Sequence, residues 1–179
     1  MSGRTNRVIG TTPESIRKAE HELGFVFPPS FRAWLQDNNG SSVDGIDRIY
    51  PVFDERDPRT TWDSITRNFK DNWLDWTGNF EGGADTFSNL LPFAEVGDGD
   101  LYCFDYNHPG LDSEVPVVRW SHETGETELR GASFTDFVGK LKEGDLIANC
   151  RAASVLPARS RGRYLLESPV CDPPRRRRY

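Results

Sequence analysis

Residues 89–107, NLLPFAEVGDGDLYCFDYN, decide how this chain folds. Leu90, Leu91, Phe93 and Val96 make an apolar run on one side, and Leu101, Tyr102, Cys103, Phe104 and Tyr106 make another. Between them stand Gly97, Asp98, Gly99 and Asp100. Glycine takes positive φ without a clash, and aspartate can bond its own backbone, so this tetrapeptide reads as a tight turn. The stretch predicts a β-hairpin, and its apolar runs are dense enough for the middle of a sheet. Glu95, Asp98, Asp100 and Asp105 give the same hairpin an acidic rim.

On the C-terminal side, Pro109 and Gly110 mark a turn. Residues 115–120, VPVVRW, read as a strand, and Glu123, Thr124, Gly125 and Glu126 as a hairpin turn. Residues 127–130 return as a short strand. Ser133 then caps a helix whose apolar positions are Phe134, Phe137, Val138 and Leu141, with Gly144 placed to end it.

On the N-terminal side, Thr11 and Glu14 have capping-box spacing, with Pro13 in the first turn. Ile16, Ala19 and Leu23 share one helical face, and Gly24 suits a left-handed cap. A second helix opens at Pro28, Pro29 and Ser30, carries Phe31, Trp34 and Leu35, and closes at Asn38, Asn39 and Gly40. Ile46, Ile49, Tyr50, Val52 and Phe53 predict a short strand, restricted by Pro51 to an edge or a strand end. Trp62, Ile65, Phe69 and Trp73 recur with helical spacing and predict a third helix. Residues 76–86 are rich in Gly, Asn and Asp and read as a loop, with some strand left open. There is no internal repeat.

The 179 residues suit one domain, 1–144, with a C-terminal tail, 145–179, read as weakly ordered or docked on the body. A hydrophobic content of 36% with 28% charged residues is that of a folded, soluble chain. Cys103, Cys150 and Cys171 show no paired spacing, which excludes a disulfide framework and a zinc ribbon and points to a reducing compartment. No leader-like or membrane-length apolar run is present, so the expected location is the cytoplasm. The net charge of −6 is asymmetric. The segment 151–179 holds eight arginines, four of them at 175–178, against Glu167 and Asp172. The rest carries the remaining 14 basic residues against 26 acidic ones. Such a body repels nucleic acid and attracts basic partners; the tail's own partner is left open.

No pattern of catalysis emerges. His21 reads as solvated, and His108 and His122 lie near turns without metal-ligand spacing. Cys103 reads as a small buried hydrophobe. Asp98 and Asp100 lack the ligand series of a calcium loop and read as solvated turn carboxylates. The chain therefore gives no catalytic, cofactor or metal residues. What remains is an acidic recognition surface: Asp44 and Asp47 before the hairpin, Glu95, Asp98, Asp100, Asp105 and Tyr106 on it, Asp112 and Glu114 after it. Tyr50, Tyr102, Tyr106 or Trp76 are the candidate aromatic anchors.

Four stretches together carry a family resemblance: 16–40, IRKAEHELGFVFPPSFRAWLQDNNG; 90–105, LLPFAEVGDGDLYCFD; 115–120, VPVVRW; and 133–141, SFTDFVGKL. In this order they resemble the SUKH superfamily of the Smi/Knr type. The resemblance implies an α+β fold with a mostly antiparallel sheet, here a meander of five or six strands. Two helices precede it and one follows the last strand. It implies no catalytic residues. Many bacterial members look like immunity proteins that bind and block a toxin, so the expected partner is a cognate protein toxin, basic and nuclease-like, neutralised by direct contact. The alternative it implies is a regulatory scaffold acting in signalling through protein contacts.

Overall fold

The sheet has five strands: β1 (Arg48–Ile49), β2 (Leu90–Glu95), β3 (Leu101–Asp105), β4 (Val117–Trp120) and β5 (Thr127–Gly131). They lie in chain order, and every neighbouring pair is antiparallel. The computed structural model describes residues 10–142. Gly144 and the tail lie outside the described residues.

The central hairpin forms as expected. Its turn is closed by Val96 N–H donating to Asp100 O at 2.9 Å and by Gly99 N–H donating to Val96 O at 3.0 Å. Gly99 takes φ 95°, which a side chain would strain. Strand alternation then sorts the apolar residues onto two faces. Leu91, Phe93, Tyr102, Phe104 and Val117 face one core, and Leu90, Cys103, Val118 and Trp120 face a second. Cys103 is fully buried, as expected of a small hydrophobe.

Helices cover both faces. The first face meets α1 (Pro13–Leu23), α2 (Pro29–Asn38) and α7 (Phe134–Lys142). Gly24 ends α1 in the left-handed region, φ 76°, donating its N–H to Glu20 O at 2.9 Å. The Glu20 carboxylate, itself buried, accepts from Phe27 N–H at 2.7 Å and Arg32 Nε at 2.6 Å, tying the end of α1 to the next helix. Ser133 Oγ accepts from Asp136 N–H at 3.2 Å at the start of α7. Close behind β5, a Cβ added at Gly131 would lie 2.8 Å from the Phe137 backbone N. Gly131→Ala is therefore expected to push α7 off the sheet and cost about 1–3 kcal/mol, read as a lower urea midpoint.

Three expectations are corrected, and the reading left open for residues 76–86 is closed. The cap of α1 is Thr12, not Thr11: Thr12 Oγ1 accepts from Ser15 N–H at 3.1 Å, while Thr11 Oγ1 donates to the buried Asp54 at 2.7 Å. The strand expected at 46–53 shrinks to Arg48 and Ile49, because Pro51 supplies no N–H to extend the ladder. The third helix is present but broken. It starts as α3 (Pro58–Thr61), restarts as α4 (Ile65–Asn68), and passes through a π-turn (Phe69–Trp73) into α5 (Leu74–Thr77). Ser64 forces the restart by capping Arg67 N–H. Trp62 consequently leaves the apolar stripe, is 61% exposed, and lies 4.7 Å from the Arg67 guanidinium. Residues 76–86 contribute no strand; they hold the end of α5 and the turn α6 (Gly83–Thr86). This outer layer brings Trp73 and Phe87 onto Trp120, at ring-centroid distances of 4.9 and 5.8 Å.

Candidate partner-binding surface

The antiparallel register sends the candidate acids to two opposite ends of the sheet. Glu95 faces Leu101 across β2 and β3 at the turn end, and Leu90 faces Asp105 at the other. The nine residues therefore do not gather at one end of the sheet.

At the far end the polar groups serve the fold. Asp105 accepts from Asn107 N–H at 2.9 Å and sits 3.0 Å from His108 Nδ1, which fixes the turn after β3. Tyr106 Oη donates to Val26 O at 2.8 Å, its ring packs on Phe25, and burial pushes its hydroxyl well above the ordinary range. Glu114 accepts from Ser30 N–H at 2.9 Å and Ser30 Oγ at 2.7 Å, capping the first turn of α2 from 84 residues away. Asp112 is exposed with φ 54°.

The turn end is different. Asp100 is not a solvated turn carboxylate, and Asp98, although half exposed, is not a free one; both grip Arg119. Arg119 Nε donates to Asp100 Oδ2 at 2.7 Å, and its Nη2 donates to Asp98. Asp100 also accepts from His122 N–H at 3.1 Å, with His122 Nδ1 2.8 Å away. Burial pushes the Asp100 carboxyl up, but the His122 hydrogen bonds and the Arg119 charge outweigh it and hold the carboxyl below its usual range. Glu95 accepts from Arg48 Nη2 at 2.7 Å and from Tyr50 Oη at 2.9 Å. Asp44 and Asp47 are exposed, and the Asp47 carboxylate lies over the turn, where a Cβ at Gly97 would meet its Oδ2 at 2.6 Å.

Beside this turn a cavity of about 440 Å³ opens between the hairpin and the outer layer. Tyr50, Trp73 and Trp76 form aromatic walls, Asn68 and Asn72 add amides, and Asp47 and Glu95 add carboxylates. Of the expected aromatic anchors, Tyr50 and Tyr102 are 3% and 2% exposed, whereas Trp76 is 43% exposed. Among these, Trp76 alone is exposed, Tyr106 being intermediate. Arg119, Arg48, Asn68 and Asn72 belong to this corner and were absent from the acidic reading. An arginine in VPVVRW was the legible sign, since a charge amid strand residues needs an anion across the sheet.

The Cys103 thiol is raised far above its ordinary value, by burial and then by Asp105, so it is no ready nucleophile. Among the described residues, no group of three His, Cys, Asp or Glu side chains could hold a metal ion. No described helix is long and apolar enough to cross a membrane.

A five-stranded antiparallel meander covered by helices on both faces is an α+β domain. The chain matches the SMI1 / KNR4 family (SUKH-1) over residues 10–140 and belongs to that family. No curated protein matches it.

Proposed function

We propose that this protein is a bacterial immunity protein that neutralises a cognate basic toxin in the cytoplasm by occluding it. The turn end of the sheet is the contact surface. The carrying observation is the pairing there of a half-exposed Trp76 and an open aromatic cavity with the exposed carboxylate of Asp47 on its rim. Anionic groups raise the association rate of a basic partner, and a desolvated tryptophan supplies the hot spot. Asp105, Tyr106 and Glu114 are read as supports of the fold instead. Family membership agrees with a binding role rather than with turnover.

The test mixes the purified protein with toxin domains encoded beside its gene and follows toxin activity. Excess protein is expected to abolish the activity of one of them. Trp76→Ala is expected to weaken that inhibition at least tenfold, and Asp47→Lys to slow association, while Asp112→Asn changes neither. Full toxin activity at saturating protein, for every neighbouring toxin, sinks the reading.

A further inference from the structure

β5 is the last strand of the sheet, with no strand beyond it among the described residues. Ladder alternation decides which backbone groups face that open side. Ser121 N–H donates to Glu126 O at 2.9 Å, and Arg119 stands opposite Glu128. The Glu126 C=O and both backbone groups of Glu128 therefore turn toward β4, the Glu126 N–H being taken by Thr124 Oγ1 at 3.2 Å, and Thr127 and Leu129 turn theirs outward. Leu129, in the middle of this edge, is 66% exposed. An edge of this kind is a template for another strand.

The side chains say which strand fits. Laid antiparallel against itself about Leu129, the sequence TELRG pairs Thr127 with Gly131, Glu128 with Arg130, and Leu129 with its own copy. The pattern obeys a two-fold axis, every acid on the strand meets a base, and the next position outward sets Glu126 against Ala132. The two leucines meet on the face that Leu129 shares with Val118.

A separate observation comes from Arg130. Its side chain is 5% exposed, and its Nη2 donates to Glu128 Oε2. Its Nε is buried with no hydrogen-bond partner among the described residues. A buried guanidinium N–H without an acceptor marks a missing group. Arg130 also lines a cavity of about 750 Å³ with Glu126, Glu128 and Arg119, which leaves room for a further carboxylate.

We propose that β5 is an interface between two copies of this chain, paired edge to edge and antiparallel about Leu129, so that the two sheets become one. Glu128 of each copy stands opposite Arg130 of the other. The register shift beside Val117 and Val118 limits the regular ladder to a few residues. The contact is small, and the association depends on concentration.

The test is sedimentation velocity on the full chain over a wide concentration range, at about 0.15 M salt so that repulsion between the acidic bodies is screened beyond about 8 Å. The mass is expected to rise from 20.3 kDa toward twice that value. Leu129→Lys sets two ammonium groups face to face and is expected to hold the mass at the monomer throughout. Glu128→Lys sets a lysine against Arg130 and is expected to do the same. Both positions are exposed, and an unchanged circular dichroism spectrum checks that the variants fold. A wild-type mass that stays at 20.3 kDa overturns the proposal, as does a dimer that survives both substitutions or growth past the dimer. A monomer whose Leu129 amide is protected from hydrogen exchange means that another segment of the same chain covers the edge, and overturns it equally.

Discussion

Phe31→Ala is expected to cost about 3–5 kcal/mol, the largest single-residue loss in this protein. Phe31 is 0% exposed and stands where α2, the hairpin and α7 meet. Its ring centroid lies 5.6 Å from Phe93, 5.1 Å from Phe104 and 4.9 Å from Phe134. Alanine removes the apolar surface and leaves a hole that three elements would have to close together. Rings held by strands on one side and by helices on the other cannot all move inward, so most of the cavity persists. With native domains stable by only about 5–15 kcal/mol, the variant sits near its unfolding threshold. Urea denaturation should show a midpoint reduced by a third or more. A shift of a few per cent would mean that the first core is not the keystone described here.

That core was largely legible in the sequence. Ile16, Ala19 and Leu23, then Phe31 and Leu35, then Phe134, Phe137 and Leu141, are helical stripes, and all are buried. The central hairpin was legible because Gly97 and Gly99 punctuate two dense apolar runs. The outer layer was harder. Trp62, Ile65, Phe69 and Trp73 have helical spacing, but the Ser64 cap and the π-turn break the period between them. One helix became several short turns, and Trp62 was left outside. At the turn end of the sheet, the acids could be named from the sequence, but their partners could not. Charge counting cannot tell Asp98 and Asp100, bound to an arginine 19 or more residues away, from Asp47, which is open. That distinction is a matter of strand register, which turns of uncertain length do not fix.

The second large effect is expected from Asp100→Ala, at about 2–4 kcal/mol. Asp100 is 9% exposed and joins three groups: Arg119 Nε, His122 N–H and the His122 ring. Arg119 is 15% exposed at its side chain, and without Asp100 it keeps the more exposed Asp98 among its partners. The penalty is that of a half-buried cation and an unmade backbone N–H, not merely of one lost bond. The same site carries a pH signature. The folded carboxyl is held below its ordinary value, so its contribution is fully present above the unfolded pKa of about 3.9 and is lost as pH falls through the lower folded value. Stability of the unmodified protein should therefore decline below about pH 4, and Asp100→Ala should flatten that decline. Equal acid slopes for the two proteins would remove Asp100 from this role.

The two-sided covering of the sheet has a consequence for optical probes. Of the five tryptophans, Trp73 and Trp76 belong to the layer built from short turns, Trp120 lies on β4 directly beneath it, and Trp34 packs in the other core. Emission from this protein is chiefly a readout of that patchwork cover, whereas far-ultraviolet ellipticity weighs the longer helices α1, α2 and α7. Should the cover loosen first, the two signals would part company along a denaturant titration, and the gap between them would measure how tightly the halves of the domain are coupled.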